Sequence, residues 1–301
     1  MKKILFWASL CLFAVSCSNE TIESDNGVTN AEKVLAPVTV RVNGFSVTQE
    51  EMASGGGTTR AAQDVVDYDG VKAIDLAFYS GGTEVYKHTQ LRGDNTTYTT
   101  FGEFSCNLPI GTYTMVAIAR GYFDGDVLTM TSPTAAGYTS ERPRETFCAS
   151  QSVTVTAAGA DASVTMNRII TQLNIISTDH ISSGVAKIRT TYGGGSKSFD
   201  PTSGLATDDN GFSLTNTAYA PDNVHLGVQN YAFLATDEET MTITIEALDA
   251  DNHMLFTKSV PGVPLKRNRQ TTLTGTIFTA SASSAAFQVE TAWIEGNTVN
   301  F

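Results

Sequence analysis

Apolar and polar residues alternate along this chain in short runs rich in Val, Ile, Thr, Tyr and Phe, separated by Gly, Asp, Asn and Pro. Such period-two runs predict strands with one face buried. Val38-Thr39-Val40-Arg41-Val42 puts three valines on one face, and Ile74-Asp75-Leu76-Ala77-Phe78 does the same with larger residues before stopping at Ser80-Gly81-Gly82. Thr112 to Ala119 follows the turn Leu108-Pro109-Ile110-Gly111, Val153-Thr154-Val155 alternates again, and Met241-Thr242-Ile243-Thr244-Ile245 is the clearest run of the second half. No window of similar length carries a 3.6-residue stripe. Strands at this spacing without helices between them predict an all-β chain of antiparallel sheets packed as sandwiches.

The plan repeats. Each half has a run of strands, a long polar stretch (124–146 and 193–224) expected to be loop, and a closing strand. The strand Ser163–Met166 passes into Ile169–Ile176 without a linker, which places a stiff boundary near Arg168. The expected organisation is a leader over 1–16, a tether over 17–36, one sandwich domain over 37–167 and a second over 168–301. The tether is polar, acidic and poor in aromatics, so no packed structure is expected there.

The N-terminus changes the picture of where the chain works. Lys2 and Lys3 precede an apolar run from Ile4 to Val15, about half the length of a membrane span, so the segment reads as a signal peptide. Ala14-Val15-Ser16-Cys17 resembles the lipobox of bacterial lipoproteins, which implies that Cys17 becomes the acylated first residue and that lipid of the outer membrane is a partner. The 31 acids and 19 bases give a net charge of −12, and loss of Lys2 and Lys3 leaves 17 bases and −14. That balance disfavours nucleic acid as a partner. Of four cysteines, Cys11 leaves with the leader and Cys17 takes lipid; Cys106 and Cys148 remain, either a disulfide or two buried thiols.

Catalytic and metal signatures are missing. His88, His180, His225 and His253 are scattered, with no zinc spacing, and Gly193-Gly194-Gly195-Ser196-Lys197-Ser198 lacks phosphate-loop spacing. Asp208-Asp209 and Asp249-Ala250-Asp251 read as turn residues or, less simply, calcium ligands. No cofactor, metal or enzymatic activity is expected. Arg92-Gly93-Asp94 spells the tripeptide that integrins recognise and is also ordinary hairpin chemistry.

Four segments in order behind the lipobox resemble the fimbrillins of Bacteroidia, the type V pilus proteins. They are Val38–Val42 followed by Thr58-Thr59-Arg60-Ala61 and Ile74–Tyr79; Leu108–Tyr113; Met166-Asn167-Arg168-Ile169-Ile170-Thr171-Gln172-Leu173; and Pro264–Gly275. The resemblance implies two transthyretin-like β-sandwich domains in tandem, an outer-membrane lipoprotein precursor exposed at the cell surface, and assembly with other fimbrial subunits by donor-strand exchange for cell adhesion to a host or bacterial surface ligand. It also implies proteolysis after Arg60, before Ala61, which would free the strand carrying Val38, Val40 and Val42. The matching donor would be the C-terminal alternation of Phe287 and Val289, with Trp293 adding bulk; the bland reading is a strand that completes its own sheet. The alternative function is a monomeric glycan-binding surface lipoprotein with Tyr192, Tyr219 and Tyr231 as a stacking platform. A hydrolase of the same surface is the third.

Overall fold

The computed structural model describes residues 34–46, 62–94, 96–121, 125–220, 222–279 and, for the backbone only, 288–292. All regular structure among them is strand, as the alternation predicts. In chain order the first half holds β1 (Leu35–Ser46), β2 (Ala62–Gln63), β3 (Ala73–Ser80), β4 (Thr83–Leu91), β5 (Glu103–Pro109), β6 (Gly111–Arg120), β7 (Leu128–Ser132), β8 (Ala135–Tyr138), β9 (Thr146–Val155) and β10 (Ala160–Arg168). The second half holds β11 (Thr171–His180), β12 (Lys187–Tyr192), β13 (Ser198–Asp200), β14 (Leu205–Ala206), β15 (Phe212–Thr217), β16 (His225–Ala232), β17 (Glu238–Leu248), β18 (Met254–Lys266), β19 (Gln270–Gly275) and β20 (Gln288–Ala292).

The repeat read from the sequence is a repeat of strand order. In the first sandwich β5-β1-β10 form one layer and β4-β3-β6-β9 the other, joined where β10 meets β9. In the second, β16-β11-β19 and β15-β12-β17-β18 follow the same order, with β20 added on the far edge of β19. Each unit pairs its first strand parallel to its last, β1 with β10 and β11 with β19, inside otherwise antiparallel sheets. Each encloses its own apolar core: Val38, Val40, Phe45, Leu76, Phe78 and Phe147 among others in the first, and Leu173, Ile175, Ile243, Ile245, Leu265 and Leu273 in the second.

The two polar stretches expected to be loops are structured. β7 and β8 come from the first stretch and β13 and β14 from the second, and they pair across the halves as one small sheet, β14-β13-β8-β7. Under it lies a third core of Leu128, Met130, Tyr138, Ile169, Phe199 and Phe233 with Ala77 and Tyr79 of β3. Phe199 stacks on Phe233 with ring centroids 4.4 Å apart. This sheet explains why β3, expected to show one buried face, is buried on both up to Tyr79. Ile74, Leu76 and Phe78 face the first core, whereas Ala77 and Tyr79 face the third. Asp75, on the same covered face, is matched by Arg120 of the neighbouring strand, Nε to Oδ2 2.7 Å.

Candidate functional site: the first strand and the open strand edges

β1 alternates as expected. Ala36, Val38, Val40 and Val42 are each no more than 8 % exposed, while Thr39 lies between and Arg41 is exposed, reaching Glu103 of β5. A register irregularity between Val42 and Gly44 then turns Phe45 into the core. Gly44 is required there, because a Cβ would lie 2.4 Å from the Gln63 carbonyl oxygen. β1 is flanked on both sides, by β5 over Leu35–Arg41 and by β10 over Val38–Ser46. Its removal would therefore expose two ladders and an apolar floor at once.

Cys17, Arg60, Ala61, Phe287 and Trp293 lie outside the described residues. Val289 is on β20, where its backbone stands opposite Leu273 of β19. The C-terminal strand thus runs antiparallel along the edge of its own second sandwich, the pairing that the bland reading describes.

Cys106 and Cys148 are both free thiols, so the candidate disulfide is not formed. The cause is strand parity. Cys106 of β5 packs against the first core, whereas Cys148 follows Phe147 on β9, points to the opposite face into the third core, and donates to the Pro201 carbonyl at 3.4 Å. Burial pushes the Cys106 thiol up to about 11 and that of Cys148 to about 12. Little thiolate exists at pH 8, and the thiolate is the reactive form. A chain starting after Cys17 is therefore expected to react negligibly with a thiol reagent when native and to titrate two thiols in denaturant without reductant. Fewer than two in denaturant would contradict this.

Arg92-Gly93-Asp94 is not displayed as a ligand. The Arg92 guanidinium turns inward and donates to the carbonyls of Val71 (2.6 Å), Val65 (2.7 Å) and Tyr68 (3.1 Å), and lies 4.4 Å from the Phe101 ring centroid. Asp94 accepts from the backbone and hydroxyl of Thr96 and holds the turn. The tyrosine platform is likewise not assembled: Tyr192 is 1 % exposed and stacked on Phe212, Tyr231 is half-buried, and only Tyr219 is open. Asp249, Asp251 and His253 have ligand atoms within 4.8 Å of one another. Asp249 there accepts from the backbone N–H groups of Asp251 and His253, both at 2.9 Å, which is turn chemistry.

The halves meet at a buried cation that sequence reasoning missed. Arg168, at the end of β10, donates from Nη2 to Tyr68 (2.7 Å), lies 2.8 Å from Glu145 Oε1, and reaches Asn268 Oδ1 from Nη1 at 3.1 Å. Tyr68 also donates to Glu145 at 2.5 Å, and burial raises its phenol well above the ordinary value. The Arg168 guanidinium covers the Phe147 ring at 4.8 Å. Beside it opens a groove of about 790 Å³, lined by β9 and β10 on one side and by residues 201–204, 237–238 and 266–269 on the other.

Two tandem sandwiches of identical strand order, with a sequestered first strand and a separate C-terminal edge strand, define a class of strand-built, modular all-β protein. The chain belongs to the family of unknown function DUF6562, whose model matches residues 40–294. No curated protein matches it. Its fold is shared with solved structures of Bacteroides and Porphyromonas proteins. A Bacteroides ovatus protein described as a "putative adhesin" is 10% identical, with a TM-score of 0.52 and coverage of 86% of this chain and 98% of that one. The fimbrial anchor protein Mfa2 from Porphyromonas gingivalis is 10% identical, with a TM-score of 0.50 and the same coverages, 86% and 98%. A Bacteroides thetaiotaomicron "putative adhesin" is 10% identical at a TM-score of 0.50, covering 87% and 99%. At such identity these structures share the fold, and the fold is that expected from the fimbrillin resemblance.

Proposed function

We propose that this chain is a structural protein of the bacterial cell surface, a subunit or anchor of an adhesive fimbria, whose work is assembly and adhesion rather than catalysis. The observation that carries this is β1: a strand bonded on both sides over an apolar floor, whose excision leaves a groove shaped for another strand. The fold shared with the Mfa2 anchor supports it. In this reading residues 37–167 and 168–301 are two domains behind a leader (1–16) and a tether (17–36), Cys17 carries the lipid, and cleavage after Arg60 frees β1. A neighbour's C-terminal segment around Phe287, Val289 and Trp293 then takes its place.

Electron microscopy of cells expressing the full precursor tests it. Surface fibres containing the chain are expected for the wild type, with fewer for Arg60→Ala if the chain is a shaft subunit. Cys17→Ala is expected to move the protein from the membrane fraction to the medium. Wild-type cells with no labelled fibre, and with the chain dispersed singly over the surface, would contradict the proposal.

A further inference from the structure

The antiparallel pairing of β11 with β16 loses its regular register after Ile176 opposite Gly227 and recovers it at His180 opposite His225. The interruption is held in place. Ser177 spans it, its hydroxyl donating to the Asp179 carbonyl at 2.8 Å and accepting the Leu226 N–H at 2.7 Å. Beyond it the Ile181 N–H reaches the Val224 carbonyl at 2.9 Å. The Asp179 carboxylate accepts the N–H groups of Ile277, Phe278 and Thr279 at 2.9, 2.8 and 2.8 Å. The backbone on either side of His180 is therefore fixed. Residues directly opposite in an antiparallel pair project from one face with Cβ atoms about 4.5–5.5 Å apart. Two histidines far apart in sequence are thus brought together, their ring centroids 5.6 Å apart with the planes at 88°.

A zinc–nitrogen bond of about 2.0–2.1 Å puts an imidazole centroid roughly 3.2 Å from the ion, so two imidazoles held tetrahedrally stand about 5.2 Å apart, centroid to centroid. A small side-chain rotation brings the observed pair to that spacing, and His180 is exposed, so no packed group has to move. An edge-to-face aromatic pair has a similar spacing, and the surroundings of His225 decide between the two. Its Nδ1 lies 2.5 Å from Asp222 Oδ2, while Asp222 Oδ1 accepts the backbone N–H groups of His225 at 2.6 Å and Val224 at 2.9 Å. An ionised carboxylate can only accept. Nδ1 therefore carries the hydrogen and Nε2 the lone pair, the arrangement found behind metal-bound imidazoles. His253 has a carboxylate behind it too, Asp249 Oδ2 at 3.0 Å from Nδ1, but no second imidazole opposite. His88 stands edge-on to Phe104. The pair of His180 and His225 joins both features. Charge is compatible with a cation there, since segments 169–186 and 198–257, which carry the two histidines, contain no Lys or Arg.

We propose that His180 and His225 together form a binding site for a divalent transition-metal ion of the zinc type, through one imidazole nitrogen each, with Asp222 as the positioning residue behind His225. Imidazole nitrogens suit zinc, copper and nickel, whereas calcium and magnesium seek oxygen. Two protein ligands leave about two of the four tetrahedral positions to water or to a donor on another molecule. The site goes beyond the proposed function and stands or falls apart from it, because it uses no residue of β1 or of the C-terminal strand. No short motif announces it in the sequence, since the two ligands come from different strands and meet only through the pairing of β11 with β16.

The test titrates chain 18–301 with zinc chloride by calorimetry and follows the imidazole nitrogens by NMR of histidine-labelled protein. One zinc ion per chain is expected, shifting the signals of His180 and His225 together and leaving those of His88 and His253 in place. His180→Gln should weaken binding by about tenfold or more, because the second imidazole of a chelate acts at high effective concentration, and should leave the metal-free melting temperature unchanged. Without metal, His225 should show the Nδ1–H tautomer. Asp222→Asn should mix the tautomers and weaken zinc binding by roughly tenfold or more; an unchanged tautomer would overturn its positioning role. His253→Gln should bind as the wild type does. No saturable binding, an affinity unchanged in His180→Gln, zinc shifting His253 in place of the pair, or calcium chloride competing equally would overturn the proposal. The paired shift in the wild type decides alone if a variant does not fold.

Discussion

Arg168→Met is expected to destabilise the protein by about 3–5 kcal/mol, the usual result of removing one partner of a buried ion pair. The Arg168 side chain is 0% exposed and that of Glu145 16%, so the substitution strands a largely desolvated carboxylate. It also deprives the Tyr68 hydroxyl of a donor and Phe147 of the cation over its ring. For a chain of this size the loss lowers the melting temperature by roughly 6–20 °C. Arg168→Met combined with Glu145→Leu should recover part of it, because no unpaired charge remains. Arg168 joins Tyr68, Glu145 and Phe147 of the first half to Asn268 of the second. The single variant should therefore also uncouple the halves and broaden the calorimetric transition. A melting temperature within a degree or two of wild type would contradict this account of the junction.

Removal of β1 is expected to be costlier still. A chain starting at Gln49 lacks Val38, Val40, Val42 and Phe45, each worth about 1.5–3 kcal/mol on full burial, and loses the ladders to β5 and β10. The sum is comparable with the whole stability of an ordinary domain, about 5–15 kcal/mol. The first sandwich should then bind a hydrophobic dye and be digested quickly, while the second, with its separate core, resists protease. Equal resistance of both halves would show that β1 is dispensable to the first core.

Much of this fold is legible in short-range pattern. β1, β6, the end of β9 and β17 follow from alternation, because one face of each meets a core within its own sandwich. What escapes is set by contacts distant in sequence. β7, β8, β13 and β14 are two to five residues long, too short for a period, and their two hairpins become one sheet only where β8 meets β13 across the halves. The cover they form is what buries the second face of β3 and encloses Cys148, which strand parity turns away from the first core. Asp75, an acid inside an apolar strand, signals a buried partner, but nothing local names Arg120. Arg168 stands in the junction motif, yet its role depends on Tyr68 and Asn268, each 100 residues away. Arg92 looks like part of an exposed recognition tripeptide until the carbonyls of Val65, Tyr68 and Val71 claim it. Of the candidate site, the three valines of β1 were readable from their spacing alone, whereas the strands that bond β1 on its two sides, β5 and β10, lie far along the chain and leave no local signal of that pairing.

The measurement that bears most directly on strand exchange is SDS-resistant laddering of chain 18–301 after mild trypsin treatment. Wild type, Arg60→Ala and a truncation ending at Ser284 are compared alone and in mixture. If β1 must leave before a neighbour's strand can replace it, cut wild type forms ladders, and Arg60→Ala alone forms none. The truncation alone also forms none, yet once cut it accepts strands from Arg60→Ala in the mixture. Ladders from Arg60→Ala equal to those of wild type would contradict the account.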